Sequence, residues 1–361
     1  MNTLPQRARV FGVRLLTLLG SLALALVVAE LGLRCVAPQP ISWLSVYEPD
    51  EVLPYRLQPL AEQQIDTGET SWRITIDALG HRNAPGATVD RAQPFLLGLG
   101  DSFAFGHGVD FEDSLYARLA AELGGGLAIR NAAVPGYGPV QYRQVLEREL
   151  GEPGLAGVLV TSFLGNDFYD CVWGKEGPIT DGALGATRGR RYWLKKHSHL
   201  YRFVSAHAHF LGLGRGESDL KLNARLMTSA AWNEKPLAQA RDVFRTELGR
   251  MQELCRARGV PLFVLILPAR ASVDDALLES SAAAAGLSRE KCERDLPTRT
   301  ALTICAELDL PCLDASGCLR SLPAPLYFRF DGHFRPATTR ALAHELAPLV
   351  RGRFFPRRSD A

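Results

Sequence analysis

Short apolar runs alternate with segments of helical periodicity over most of the chain. Each run is long enough for a buried strand and is followed by a loop with polar residues or glycine. The candidate strands are residues 95–99, 127–131, 157–163, 261–267 and 311–314. The clearest helical patterns are residues 112–123, 139–150, 233–258 and 337–350. This alternation predicts an α/β fold with three layers, α/β/α, around a mostly parallel five-stranded sheet.

The first apolar run is too long for a strand. It extends from Leu15 to Leu33, and only Thr17, Ser21 and Glu30 interrupt it. About 19 residues are near the minimum for a helix that spans a membrane. The run is preceded by Arg7, Arg9 and Arg14, with no acidic residue upstream. Since basic flanks stay in the cytoplasm, we predict a single pass through the inner (cytoplasmic) membrane, with the remainder of the chain on the periplasmic or extracellular side.

A cleaved signal peptide is the alternative for the same segment. Val27-Val28-Ala29 offers a tolerable cleavage site, but it lacks the Ala-x-Ala form. An uncleaved anchor is therefore favoured. Residues 1–36 then hold the cytoplasmic N-terminus and the anchor, residues 37–94 a linker with a small β extension, and residues 95–361 the main domain.

Residues 168–230 interrupt the strand–helix repeats and form an insertion in the main domain. Within it, apolar residues recur at helical spacing, at Trp193, Leu200, Phe203, Val204 and Phe210. A surface helix packed on the core is favoured over a helix that lies across the rim of the sheet or on the membrane. The neighbouring histidines, His197, His199, His207 and His209, lie two residues apart in pairs. Such pairs do not share a helix face, so no metal site is predicted there.

Composition excludes one class of partner and points to a compartment. The formal charge of +2, without a basic stripe that interleaves with aromatic residues, gives no case for nucleic-acid binding. Seven cysteines without zinc-ligand spacing fit an oxidising compartment better than a metal site. The six beyond the anchor allow 15 full pairings. Of these pairs, Cys312 and Cys318 are the closest in sequence.

Polar residues and glycines occupy four loops next to the predicted elements. Gly100-Asp101-Ser102 follows the first strand, and a loop containing Gly136 follows the second. Asn166 follows the third strand, and Asp331-Gly332-His333 precedes the last helix. The carboxyl ends of parallel strands share one edge of a sheet, so we expect these loops to lie close together.

These residue types fit the chemistry of a serine nucleophile. A serine hydroxyl is weak at neutral pH and needs a neighbouring base such as His333. The base needs a carboxylate, here Asp331, to hold one tautomer. A developing oxyanion needs donors, which the N–H groups of Ser102 and Gly136 and the side-chain amide of Asn166 are able to supply.

The four blocks in this order resemble the SGNH hydrolases, also called GDSL-type esterases or lipases. The resemblance covers about residues 95–350 apart from the insertion, and it implies a flavodoxin-like sheet. By this resemblance Ser102 is the nucleophile, His333 the base and Asp331 the residue that orients it. Ser102, Gly136 and Asn166 form the oxyanion hole, and neither a cofactor nor a metal is implied. One departure is that Leu164 stands first in the block that commonly reads Gly-x-Asn-Asp.

The anchor and the β extension are similar to those of exported bacterial members of this family. The resemblance implies an exported serine esterase that cleaves acyl esters of a small molecule or of a cell-surface glycan, for example O-acetyl groups. An O-acyltransferase that works beside a membrane acyl donor is the second interpretation. A non-catalytic glycan-binding or assembly subunit is the third, and the intact set of four functional side chains speaks against it.

Overall fold

The computed structural model describes residues 6–354, except 40, 92, 125–126, 175, 186–188 and 211–216. Side chains at 6–8, 206, 208–210 and 217–219 also lie outside the described part. The predictions that involve the side chains of Arg7, His209 and Phe210 therefore fall outside the described residues. The start of the predicted segment 1–36 and the end of the predicted domain 95–361 also lie outside them.

A five-stranded sheet forms the centre of the molecule. Its strands are β1 (Phe95–Gly100), β2 (Ala128–Asn131), β3 (Leu155–Phe163), β4 (Leu262–Leu267) and β5 (Cys312–Asp314). They lie in the order β5-β4-β3-β1-β2, and each neighbouring pair is parallel. Every residue of β1 and β4 is buried, which explains why these strands appear as unbroken apolar runs. The predicted α/β fold is confirmed, with a sheet that is parallel throughout.

Helices pack around this sheet. The longer ones are Leu115–Leu123, Pro139–Glu149, Leu237–Ala257, Asp275–Ala284, Leu296–Glu307 and Pro336–Phe354, and the shorter ones are Ser102–Phe105, Asp167–Trp173 and Ser316–Ser321. Short 3₁₀ turns lie at Phe111–Asp113, Ser229–Asn233, Arg270–Ser272 and Arg289–Lys291. The helix predicted from residue 112 starts later because Ser114 is extended, and its side chain caps the N–H of Ala117.

The β extension consists of two antiparallel hairpins. Tyr47–Glu48 pairs with Arg56–Leu57, and Glu62–Asp66 pairs with Ser71–Thr75. Its buried side chains, among them Tyr55 and Trp72, belong to the same hydrophobic core as the sheet. The extension therefore packs directly on the main domain.

The N-terminal helix, which we call the anchor helix, extends over Gln6–Val36. Residues Arg9–Val36 are long and apolar enough to cross a membrane, and none of that apolar stretch is buried inside the molecule. An N-terminal helix of this kind fits both a membrane anchor and a signal sequence.

The insertion includes two short strands, Ile179–Thr180 and Ala183–Leu184, and the helices Arg190–His197, His199–Phe210 and Glu217–Leu226. The apolar pattern from Trp193 to Phe210 belongs to two helices, because the chain is extended at Ser198. We call these two the roof helices. They lie against the anchor helix, where the Glu30 carboxylate accepts hydrogen bonds from Ser198 Oγ and from the N–H groups of His199 and Leu200, at 2.8–2.9 Å.

All seven cysteines are free thiols in this structure. The two that contact each other are Cys305 and Cys312, whose thiols are hydrogen-bonded. The pair closest in sequence, Cys312 and Cys318, is therefore not the pair whose thiols are hydrogen-bonded.

Candidate active site

Ser102 lies at the carboxyl end of β1, in the middle of the sheet. Asp101 is extended, and its carboxylate accepts the N–H of Phe103 at 2.9 Å, which starts a helical turn at Ser102. The turn ends at Gly106, which adopts the left-handed conformation. The strand thus ends by presenting a half-buried hydroxyl at the sheet edge where ligands bind in parallel α/β sheets.

Ser102, His333 and Asp331 form a continuous hydrogen-bond chain. His333 Nε2 lies 2.7 Å from Ser102 Oγ, and His333 Nδ1 lies 2.6 Å from Asp331 Oδ1. An ionised carboxylate only accepts hydrogen bonds, so Nδ1 carries the hydrogen and Nε2 accepts the serine hydroxyl. Ser102 and His333, 231 residues apart in sequence, are in the geometry that a nucleophile and its base require.

Burial and hydrogen bonds set the charge states of this pair. Burial by itself raises the pKa of Asp331, but hydrogen bonds from His107 and His333 outweigh it and hold that pKa far below its usual range. Burial, together with the charge of His107, lowers the pKa of His333 despite the attraction of Asp331. The carboxylate is therefore ionised and the imidazole neutral near pH 7, which are the states that general-base catalysis needs.

His107 is a further member of the site. Its Nε2 lies 3.3 Å from the second oxygen of Asp331, and its ring lies 4.5 Å from that of His333 and 5.1 Å from that of Trp72. His107, Asp331 and His333 offer ligand atoms within 4.8 Å of one another. However, both oxygens of Asp331 and both ring nitrogens of His333 already have protein partners, which suits proton transfer better than metal binding.

Gly136 lies with Ser102 and His333 in the lining of one pocket. It has a φ of +88°, a conformation that favours glycine. The backbone N–H groups of Ser102 and Gly136 donate no hydrogen bond to a described residue, so both are available to a ligand. At Gly138, a Cβ would lie 2.7 Å from the Cβ of Asp170, so this loop approaches the helix Asp167–Trp173 as only glycine permits.

Asn166 lies at the start of that helix, outside the lining of the pocket. Its amide nitrogen donates to Asp170 Oδ2 at 2.6 Å, which leaves the second N–H of the amide for another acceptor. The next residue, Asp167, is fully buried and accepts from Ser162 Oγ at 2.5 Å and Tyr142 at 2.9 Å. These contacts hold the third block in place even though Leu164 stands where the family has glycine.

The β extension holds the loops that carry His333 and His107. The Glu69 carboxylate accepts the consecutive N–H groups of Arg329, Phe330 and Asp331, the last two at 2.8 and 3.2 Å. The Arg82 guanidinium, whose side chain is fully buried, donates to the carbonyl oxygens of Phe105, Gly106 and Val109 around His107. Burial lowers the pKa of Arg82 to about 9, so it is still charged at pH 7.

Sequence reasoning identified neither these two residues nor His107. His107 appeared only as part of a glycine-containing turn, and Arg82 only as part of the turn that follows the extension. In sequence, a lone histidine between two glycines and a glutamate at a hairpin tip give no signal of function.

A pocket of about 710 Å³ opens above Ser102. Ser102, Gly136, His107 and His333 lie at its base. Its walls come from the linker and the insertion, with aromatic side chains at Trp43, Tyr47 and Tyr192. Segments that looked peripheral in sequence therefore enclose the candidate nucleophile.

No protein-family model matches the chain, and no curated protein does. The chain is similar to several solved structures. One is a carbohydrate acetylesterase family member from Sinorhizobium meliloti, at 14% identity over 73% of this chain and 99% of that chain, with a TM-score of 0.39. Another is an aryl esterase from M. smegmatis, at 12% identity over 72% and 99%, with a TM-score of 0.39. A third is a lipolytic protein of the G-D-S-L family from Veillonella parvula, at 10% identity over 71% and 97%, with a TM-score of 0.38.

Proposed function

We propose that the chain is an exported SGNH-type serine esterase that cleaves an acyl ester through an acyl-Ser102 intermediate. The observation that carries this proposal is the hydrogen-bond chain from Ser102 through His333 to Asp331. Its support comes from the charge states of the two partners, since a neutral His333 beside an ionised Asp331 is ready to take a proton.

In the first half of the reaction, Ser102 Oγ attacks the carbonyl carbon of the ester and gives its proton to His333 Nε2. The tetrahedral intermediate then collapses, the bond to the alcohol breaks, and the alcohol leaves with the proton from His333. In the second half, His333 takes a proton from water, and the resulting hydroxide attacks the acyl carbon. The acid leaves, and Ser102 Oγ recovers its proton from His333.

The negative charge on the carbonyl oxygen needs donors in both halves. The N–H groups of Ser102 and Gly136 supply two of them in this proposal, since neither has a described acceptor in the protein. The Asn166 amide supplies the third through the hydrogen that Asp170 does not use. Donors fixed in advance stabilise the transition state more than the bound ester.

The alcohol part of the ester is a glycan in this proposal, with O-acetyl as the acyl group. The pocket is open and has aromatic side chains at Trp43, Tyr47 and Tyr192, which suit the apolar C–H faces of sugar rings. The chain sits in the inner membrane by its anchor helix, with the catalytic domain on the periplasmic or extracellular side. Three arginines, Arg7, Arg9 and Arg14, precede the apolar run, whereas Arg34 alone follows it within the anchor helix, and this excess supports the orientation.

Acyl transfer to a glycan hydroxyl is the second candidate. One observation favours it: the roof helices are hydrogen-bonded to Glu30 of the anchor helix, which brings the pocket close to any membrane acyl donor. The chemistry up to acyl-Ser102 is the same. Only the acceptor differs, with a sugar hydroxyl in place of water.

The test is labelling with a serine-directed phosphonate, followed by intact-mass analysis, peptide mapping and assay with p-nitrophenyl acetate. We expect one adduct on Ser102, with both adduct and hydrolysis lost in Ser102→Ala. Ser280→Ala is the matched control, since Ser280 is exposed and bonds only its own helix. If the folded wild type takes no label and cleaves no ester, the esterase proposal is wrong and the non-catalytic interpretation is favoured. A stable acyl-Ser102 adduct without hydrolysis would favour the transferase.

A further inference from the structure

Two cations of the insertion line the pocket above Ser102. Arg191 and Lys195 belong to the roof helix Arg190–His197, and both lie in the lining that includes Ser102 and His333. Within the described part of the chain, no aspartate or glutamate lines this pocket. The space next to the nucleophile is therefore bounded by positive charge on one side without a compensating carboxylate.

Among the described residues, these two cations have no ionic partner. Neither forms an ion pair with a described carboxylate. Arg191 Nε is 3.4 Å from the hydroxyl of Tyr201, and Lys195 Nζ lies 5.9 Å from the ring of Trp43. They are four residues apart on one helix, a spacing at which like charges repel. An anion between them would relieve this repulsion.

Lys196 lies on the same helix but outside the pocket lining, and it has a carboxylate partner. Lys196 pairs with Asp181, which also accepts the hydroxyl of Tyr192 at 2.9 Å. Asp181 is thus engaged by Lys196, and the Glu30 carboxylate at the end of this helix pairs with Arg34. Neither carboxylate forms an ion pair with Arg191 or Lys195, so these two cations remain for a ligand.

We infer that the alcohol part of the substrate is an anionic glycan, whose carboxylate or phosphate binds between Arg191 and Lys195 while an acylated hydroxyl faces Ser102. The ring of Trp43 stands beside Lys195 and offers a surface for the sugar. This inference rests on the proposed function and adds the class of alcohol. It makes Arg191 and Lys195 residues that determine specificity and leaves the chemical step to the catalytic residues.

The kinetic test compares acetylated oligogalacturonate, acetylated xylo-oligosaccharide and p-nitrophenyl acetate as substrates of the full chain in neutral detergent. Arg191→Gln and Lys195→Gln should each lower kcat/KM for the acidic glycan by roughly five- to tenfold, mainly through KM. The two uncharged substrates should be cleaved as before. Arg190→Gln is the matched control, because it makes the same charge change on the same helix outside the pocket. Added salt should lower the kcat/KM of the wild type for the acidic glycan but not for the two uncharged substrates.

A binding test keeps this inference separate from the esterase proposal. Ser102→Ala in zwitterionic nanodiscs should bind trigalacturonate or mannose 6-phosphate more tightly than xylotriose, and the tighter of the two anions identifies the acidic group. Loss of all hydrolysis in the wild type would contradict the esterase but not this preference. Equal affinity for the acidic and the neutral sugars, or an unchanged preference in Arg191→Gln combined with Lys195→Gln, would overturn the inference.

Discussion

At the scale of single residues, His333 is the most informative side chain, because its environment sets both its tautomer and its charge. Burial and the charge of His107 lower its pKa, while Asp331 raises it to a smaller extent. A base with a lowered pKa stays neutral further into the acidic range. Its carboxylate partner, which has a pKa far below the usual range, does not titrate in that range.

The acid limb of the pH profile should therefore lie below the ordinary range of a histidine. We expect kcat/KM for p-nitrophenyl acetate to fall only below about pH 6.5, the ordinary pKa of histidine. His107→Gln should move this limb to higher pH, since it removes a charge that lowers the pKa of His333 and keeps a donor near Asp331. A limb that stays in place in this variant would show that His107 does not influence the base. Thermal melting across the same pH range separates activity from unfolding.

Asn166 allows a second test at this scale. Asn166→Ala should lower kcat by about a hundredfold or more with little change in KM, because the amide acts on the transition state. Its side chain does not cap the backbone of its helix, but it donates to the buried Asp170 at 2.6 Å, so we expect a modest fall in the melting temperature beside the larger loss in kcat. Equal losses in kcat and thermal stability would instead indicate a structural role.

At the scale of elements, the β extension holds the two loops that carry His333 and His107. Glu69 at a hairpin tip binds three successive N–H groups of the His333 loop, and Arg82 binds three carbonyl groups of the His107 loop. Thr70 adds a hydrogen bond of 2.8 Å to the carbonyl of Gly108. The extension is thus part of the scaffold of the candidate site, although it contributes neither the proposed nucleophile nor the proposed base.

Removing the Glu69 carboxylate should therefore reduce catalysis at a distance. Glu69→Ala should lower kcat by about tenfold, the equivalent of one charge-assisted hydrogen bond, while KM stays nearly constant. Glu69→Gln should recover part of the loss, because its amide oxygen is still an acceptor. Glu62→Ala, an exposed change in the same hairpin, is the matched control. If Glu69→Ala and Glu62→Ala have the same kcat, the Glu69 carboxylate does not position Asp331 for catalysis.

At the scale of the whole molecule, the sheet was predictable from sequence because two of its inner strands, β1 and β4, are completely buried and appear as unbroken apolar runs. Ser102 and the Asp331–His333 loop were predictable too, since strand ends and a serine–histidine–aspartate set follow recognisable patterns. The supporting residues were not, because Glu69, Arg82 and His107 act only through contacts between distant segments. The break at Ser198 was hidden as well, since the apolar spacing continues across it.

The orientation of the chain is a prediction at this scale. A reporter that is active only outside the cytoplasm, fused after Ala361, should be active, because Arg9 and Arg14 hold the N-terminus inside. Activity of a reporter that works only in the cytoplasm would contradict the topology. Mass analysis of the mature N-terminus distinguishes the anchor from a cleaved signal peptide.

The contact between Glu30 and the roof helices also affects how this protein is prepared for study. A fragment starting at residue 37 would be convenient in solution, but it would leave Ser198, His199 and Leu200 without the carboxylate that they share. Its roof helices should exchange amide hydrogens faster than in the full chain, and the walls of its pocket should be less ordered. Substrate preferences measured on such a fragment would describe a different pocket entrance from that of the full chain.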